Sequence, residues 1–189
     1  MPKQHRKTLP IKLVLILLII AIAAFAGYRI LAIRQAGRDA DQVLDTMYDL
    51  IPGLGIETGV STGVGKDPLL SLSINGIDIV GCLEIPSLDL MTPVSVASEE
   101  YEGFLNVVSG SPVKGKLMLE GDKTTTLNGL SKAQPGDTVV FTDVEGIRYH
   151  YRVLTQFHLK NWDEADNDLM VCYRVDDQTR FVLGCTRAE

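Results

Sequence analysis

The sequence contains few of the residues that build metal sites. Its 189 residues include three histidines, three cysteines and one tryptophan, and the His and Cys residues do not cluster at the spacing of metal ligands. The acidic run 163–168 lacks the glycine and the terminal glutamate of a calcium-binding EF-hand loop, so a solvated loop is the simpler interpretation. We therefore expect no metal site and no cofactor.

Acidic residues are absent from the first 38 positions, which carry seven lysines and arginines. The remaining residues, 39–189, hold 11 basic and 24 acidic side chains, so a basic head precedes an acidic body. An acidic body repels a phosphate backbone, which argues against a nucleic-acid partner.

A long apolar run lies near the amino terminus. It extends unbroken from Leu13 to Ala26, between Lys12 and Arg29, and a basic tail (1–12) precedes it. This pattern predicts a single transmembrane anchor over 13–28, with the amino terminus in the cytoplasm and the body outside the cell. A cleaved signal peptide is the alternative, because Ala24-Phe25-Ala26 fits a cleavage site. Both interpretations export the body.

A stem and a linker are expected next. Small and apolar residues recur at steps of three and four along 29–52, which predicts an amphipathic stem helix ending near Pro52. The residues of this seam are Ile30, Ile33, Gly37, Ala40, Leu44, Met47 and Ile51. Residues 53–68 are rich in glycine and predict a flexible linker.

The body, 69–189, consists of short apolar runs separated by turn signals. Asn75-Gly76 and Glu145-Gly146 are tight-turn pairs. Thr124 to Lys132 fits either a short helix or an irregular crossover. The many short strands predict a mainly all-β domain, either a barrel or a sandwich. The candidate strands are 70–74, 77–85, 91–96, 117–119, 138–143, 147–155, 169–173 and 180–185.

The three cysteines are Cys82, Cys172 and Cys185. An odd number leaves at least one thiol unpaired in an exported protein. A hairpin with its tip at 176–177 would place Cys172 and Cys185 too far apart for a disulfide. A bond between Cys82 and Cys185 stays open, and a buried, inert thiol is the simplest interpretation of any one of them.

An ordered series of motifs from about residue 77 to the end resembles the sortase family, the membrane-anchored cysteine transpeptidases of Gram-positive cell surfaces. The resemblance implies an eight-stranded β-barrel with short helices, preceded by a transmembrane helix and a stem. The segments that carry it, in chain order, are Gly81–Leu88 with Pro93-Val94, Leu119–Lys123, Gln134–Asp137, Thr138–Asp143, Tyr149–Val153, Leu169–Cys172 and Gln178–Val182.

The resemblance also implies a chemistry. Cys172 occupies the position of the nucleophile, and Arg180 that of the arginine, which can stabilise an oxyanion or hold the substrate. The substrate would be a sorting-signal peptide such as Leu-Pro-x-Thr-Gly on a surface or pilin protein. Two positions depart from the family pattern: Asp122 stands where the family has its catalytic histidine, and Val171 stands where threonine usually precedes the cysteine.

The first departure bears on activity. A carboxylate disfavours a neighbouring thiolate and, when ionised, cannot protonate a leaving amine. We therefore expect transpeptidation to be weak or absent. His150 and His158 are the only histidines in the body, and each is more simply a surface or core-edge residue than a relocated acid. Trp162 and Val171 are candidates for lining a peptide groove.

Strand register tests the pair of Cys172 and Arg180. A turn symmetric about 176–177 opposes Cys172 to Phe181, whereas an odd loop, 175–177, opposes it to Arg180. The catalytic interpretation therefore predicts an odd loop or a bulge. Three hypotheses follow: a degenerate sortase-like protein, an active cysteine transpeptidase or hydrolase with a rearranged acid (Asp122 or His150), and an unrelated exported β-barrel that only binds.

Overall fold

The computed structural model describes residues 8–51, 54, 65–96, 103–160 and 166–188. The chain divides into two compact units between Gln35 and Ala36. Most of the predicted linker, 53–68, and the predicted groove residue Trp162 lie outside the described residues.

The first unit holds the amino-terminal part of a single helix, α1 (Thr8–Leu50). Within Leu13–Leu50, a window of 18 residues has a mean hydropathy of 2.5, and none of it is buried. By length and composition this helix could cross a membrane, although a signal sequence has the same properties.

The second unit begins with the remainder of α1. Ala40, Val43, Met47 and Ile51 are buried there, in a cluster that includes Cys82. The period of three and four is that of the predicted seam, but Val43 is 1% exposed whereas Leu44 is only partly buried. The buried stripe is therefore rotated slightly from the predicted one.

Nine strands follow the helix. Asn75 and Gly76, with φ of 53° and 82°, form the predicted tight turn between the first two. Short 3₁₀ turns lie at Pro86–Leu88 and Leu130–Lys132. The strands are β1 (Leu72–Ile74), β2 (Ile77–Ile85), β3 (Leu90–Ser95), β4 (Leu105–Ser111), β5 (Gly115–Gly121), β6 (Thr138–Asp143), β7 (Arg148–Leu159), β8 (Leu169–Arg174) and β9 (Arg180–Arg187).

Strands β2 to β9 close into a barrel. The order is β2-β3-β4-β5-β8-β9-β7-β6, and β6 pairs with β2 to complete it, while β1 extends one edge. Neighbours are antiparallel except for the pairs β3–β4 and β5–β8. The predicted eight-stranded, mainly β architecture is thus confirmed.

Alternate side chains along each strand point inward and fill the barrel interior. In β8, for example, Leu169, Val171 and Tyr173 point into the main core, and Phe181, Leu183 and Cys185 do so in β9. The intervening side chains therefore lie on the outer face of the sheet. This alternation determines which residues of the candidate site can meet.

Two elements differ from the sequence prediction. Strand β4 was missed, because its ladder with β5 is irregular on both sides of Ser109 and Gly110 has a φ of 78°. Strand β7 is longer than the predicted 147–155 and includes His158. The segment 124–132 is an irregular crossover of turns ending in the 3₁₀ turn, not an α-helix.

Candidate active site

The hairpin of β8 and β9 has a register that neither sequence alternative gave. Cys172 lies opposite Val182, and Arg174 lies opposite Arg180, so the turn is centred on Asp177. Asp176 widens the turn, because its Oδ1 accepts hydrogen bonds from the backbone nitrogens of Gln178 and Thr179 at 2.9 and 2.7 Å. The loop is odd, as the catalytic interpretation requires, but longer than the three residues considered.

This register places Cys172 and Arg180 on the same face. Residues that differ by two along a strand point the same way, so Arg180 shares the outer face with Val182 and with Cys172 opposite it. The two side chains are diagonal neighbours rather than a direct pair. If these two side chains lay on opposite faces, the structure would favour the hypothesis of an unrelated β-barrel that only binds. They lie on the same face instead.

The Cys172 thiol is sealed within the outer face. Its side chain is fully buried in a small apolar cluster with Met118, Met170 and Val182, and its Sγ donates to the carbonyl oxygen of Leu119 at 3.3 Å. Burial raises the pKa of the Cys172 thiol, the Glu120 carboxylate raises it further, and the Arg180 guanidinium opposes both. The favoured form is the neutral thiol.

Glu120 is the acidic residue that the sequence interpretation missed. It lies opposite Cys172 in the parallel pair of β5 and β8. Its Oε2 accepts a hydrogen bond from Arg180 Nε at 3.1 Å, and its Oε1 lies 3.5 Å from Arg174 Nη2. Strand alternation could have found it, because Leu117 and Leu119 point inward and leave Met118 and Glu120 on the outer face.

Asp122 follows β5 directly and serves as a turn-forming residue. Its Oδ1 accepts hydrogen bonds from the backbone nitrogens of Thr124 and Thr125 at 2.7 and 3.0 Å, and also from both hydroxyl groups. Partial burial raises the pKa of the Asp122 carboxyl, but these hydrogen bonds outweigh burial and leave the pKa below its usual value. The carboxylate is therefore ionised at neutral pH.

The two groove candidates do not form a groove with Cys172. Val171 is fully buried in the barrel interior, on the face opposite Cys172, so the prediction that it lines a groove is corrected by strand alternation. Trp162 lies outside the described residues, as do positions 163–165 of the acidic run. From that run, Asp166 pairs with Lys116 at 3.0 Å.

Neither histidine of the body lies beside Cys172. His150 is near the start of β7. Cys172 pairs with Val182 of β9, and Val182 pairs in turn with Phe157 of β7. Seven residues of strand correspond to roughly 20 Å, so His150 cannot transfer a proton at Cys172. His158 is exposed and contacts the ring of Phe181 edge-on, with centroids 5.7 Å apart, on the inner face.

All three cysteines are buried and free. They belong to three separate clusters: Cys82 beneath α1, Cys172 on the outer face and Cys185 in the barrel interior. The pairing of Cys82 with Cys185 that the sequence left open is not formed. A surface pocket of about 670 Å³, lined by Tyr149, Tyr151 and Arg187, contains none of the three candidate catalytic residues.

Comparison with solved structures places this geometry in a known fold. Sortase C1 from Streptococcus agalactiae matches with a TM-score of 0.54 and 15% identity, over 79% of this chain and 89% of that one. Sortase A from Corynebacterium diphtheriae matches with a TM-score of 0.51 and 14% identity, over 89% and 96%. A sortase D5 transpeptidase from Clostridium perfringens matches with a TM-score of 0.51 and 14% identity, over 62% and 83%.

The chain has a sortase fold. No protein-family model matches the sequence, and no curated protein matches it either. The resemblance read from the motif order is confirmed at the level of the fold. The sortase fold brings together β5, β8 and β9, the three strands that carry Glu120, Cys172 and Arg180.

Proposed function

We propose that this protein is a membrane-anchored, extracytoplasmic sortase-fold protein with a degenerate active site. It binds a sorting-signal-like peptide of a surface or pilin protein without turning it over. The helix α1 supports the anchor, with the basic tail in the cytoplasm and the barrel outside. The observation that carries the degenerate assignment is the state of Cys172, a fully buried thiol beside a carboxylate.

Transpeptidation by a cysteine requires three groups. A thiolate attacks the peptide carbonyl, a donor stabilises the oxyanion, and an acid protonates the departing amine. In this chain Cys172 and Arg180 are the candidates for the first two roles. The third role falls to Asp122, the residue at the histidine position.

Of the three groups, the candidate acid is the least suited to its role. The Asp122 carboxylate already accepts four hydrogen bonds from Thr124 and Thr125, and its lowered pKa leaves no proton to donate at neutral pH. It also supplies no positive charge that would favour a thiolate. General acid–base assistance contributes about 10²–10⁴-fold to such reactions, so its loss leaves little turnover.

An active cysteine transpeptidase or hydrolase is the second candidate function. It is favoured by one observation, the shared outer face of Cys172 and Arg180. In this case a group other than His150 must supply the proton, because His150 is too far along β7.

A peptide-cleavage assay separates the two functions. The full-length chain in detergent is incubated with fluorogenic Leu-Pro-x-Thr-Gly peptides and an amine acceptor, beside the Cys172→Ala variant. We expect equal background rates, with peptide binding that survives the substitution. A rate that depends on Cys172 would establish the active enzyme and overturn the degenerate assignment.

The Asp122→His variant tests why activity is low. It returns an imidazole to the histidine position while leaving Cys172 and Arg180 in place. Gain of cleavage that is lost again in the Asp122→His, Cys172→Ala double variant would mean that only the acid is missing. If the variant stays inactive, the surroundings of Cys172 must also contribute to the low cleavage activity.

A further inference from the structure

Two buried thiols on the outer face of the barrel each have a carboxylate nearby that is paired with a guanidinium. Cys172 lies beside Glu120, which is paired with Arg180. Cys82 lies two residues before Glu84, whose Oε2 is 3.9 Å from Arg148 Nη2. Cys172, Glu120 and Arg180 lie on three neighbouring strands, β8, β5 and β9. Cys82 and Glu84 instead share β2, and Arg148 lies on β7, on the far side of β6.

We propose that Glu120 is a positioning residue that holds Arg180 against β5 and keeps the Cys172 thiol in its neutral form. This inference rests on the proposed function, because it identifies a second cause of low reactivity that is independent of the missing histidine. Asp122 accounts for the absent acid, and Glu120 adds to burial in disfavouring the thiolate.

The geometry supports two effects of Glu120. The first is electrostatic: Glu120 and Arg180 side chains are each only 20% exposed, so the carboxylate acts on the buried sulfur across a poorly solvated gap. The second is positional: the Arg180 Nε–H that donates to Glu120 at 3.1 Å is not available to a substrate carbonyl or an oxyanion. Both effects suppress nucleophilic attack by Cys172.

The charges around the sulfur make a prediction of sign. Glu120 raises the pKa of the Cys172 thiol, whereas Arg180 lowers it. Removing the carboxylate should therefore favour the thiolate, and removing the guanidinium should disfavour it. A general loosening of the structure would instead expose Cys172 in both variants. The two substitutions thus separate an electrostatic role from a structural one.

The test is alkylation by iodoacetamide, followed residue by residue with peptide mass spectrometry from pH 7 to 9.5. The full-length chain in detergent is compared with Glu120→Gln, Glu120→Asp and Arg180→Gln. We expect Glu120→Gln to accelerate alkylation of Cys172 by about tenfold at each pH, because loss of the carboxylate favours the thiolate. Arg180→Gln should slow it, and Glu120→Asp, which keeps the charge, should remain close to the parent.

Glu84→Gln is the matched control, because it removes the equivalent carboxylate beside Cys82. It should accelerate alkylation of Cys82 and leave Cys172 unchanged. Cys185, inside the barrel, reports opening of the whole domain, and each rate is normalised to it. The inference is overturned if Glu120→Gln leaves the normalised Cys172 rate unchanged, or if Glu120→Gln and Arg180→Gln both accelerate it. Cleavage of peptide by the parent would overturn the proposed function without affecting this result.

Discussion

At the scale of single residues, Asp122 forms hydrogen bonds to the backbone of the turn after β5, although the motif comparison predicts that it occupies the histidine position. Its side chain accepts hydrogen bonds from the backbone nitrogens of Thr124 and Thr125. Its backbone carbonyl oxygen accepts hydrogen bonds from the backbone nitrogens of Thr126 and Leu127 at 3.2 and 2.9 Å. A residue used in this way is constrained by the turn after β5. We therefore expect its substitution to affect stability.

We predict that Asp122→Ala lowers the free energy of unfolding by about 1 kcal/mol, because the turn loses the acceptor of several hydrogen bonds. Asp122→Asn keeps an acceptor oxygen and should cost less. Urea unfolding of the full-length chain, followed by circular dichroism, measures both. Equal stability of the alanine variant and the parent would contradict the structural role.

The difference in stability between the parent and Asp122→Asn should depend on pH, with a sign that follows from the pKa of Asp122. The hydrogen bonds hold the pKa of Asp122 below its unfolded value of about 3.9, so the carboxylate contributes stability above that pH. The contribution is lost as the pH falls through the folded pKa. The advantage of the parent over Asp122→Asn should therefore be constant from pH 7 to 5 and shrink below pH 4.

The candidate site could be predicted from the sequence only in part. The motif order predicts Cys172 and Arg180 as candidates, and the structure places both on the outer face. The catalytic interpretation predicts an odd loop between them, but the three-residue loop considered differs from the register observed. Glu120 was missed because motif comparison treats its position as variable. Strand alternation would place its side chain on the outer face, but the pairing of β5 with β8 is needed to place it beside the sulfur.

At the scale of elements, the β8–β9 hairpin shows why register resists prediction. The acidic pair 176–177 marks the turn correctly, but the ladder is centred on Asp177 alone. The reason is local: Asp176 accepts two backbone hydrogen bonds, and the Val175 nitrogen donates to the Thr179 carbonyl oxygen at 2.8 Å. Sequence spacing alone does not distinguish this wider turn from a tighter one.

The carboxyl-terminal part of α1 is an element whose packing was predictable from its period. Met47 is fully buried in the cluster with Val43, Ile79 and Cys82, whereas Leu50 on the same helix is 54% exposed. We predict that Met47→Ala lowers the free energy of unfolding by about 2–5 kcal/mol through loss of buried contacts and the cavity left behind. Leu50→Ala is the control and should change it by less than about 0.5 kcal/mol.

Urea denaturation monitored by circular dichroism distinguishes the two variants. Similar losses for Met47→Ala and Leu50→Ala would mean that α1 does not contribute this face to the core.

At the scale of the whole molecule, the strand count was sufficient to predict a barrel or a sandwich, but not to choose between them. Closure of the barrel depends on the pairing of β2 with β6, in which residues 81–84 pair with residues 140–143. No local sequence pattern predicts this pairing. The parallel pairs β3–β4 and β5–β8 also join segments far apart in sequence. The order of motifs supplied what periodicity could not, and the sortase fold confirmed it.

The remaining prediction concerns whether α1 anchors the chain in a membrane. An apolar segment over 13–28 is about 24 Å long as a helix, slightly short of the hydrocarbon core, and Lys12 and Arg29 can extend it by reaching the interfaces. We therefore predict that the chain stays in the membrane fraction after alkaline carbonate extraction, with its intact amino-terminal mass.

The control replaces Leu17 and Ile20, both exposed on α1, with arginine, which should abolish retention in the membrane because charges at the bilayer centre are costly. Release of a soluble protein beginning at Gly27 would instead establish cleavage after Ala26. In that case the barrel would act without a tether. The proposed binding of surface proteins would then depend on the affinity of the barrel alone, because it would lack the high local concentration that a shared membrane provides.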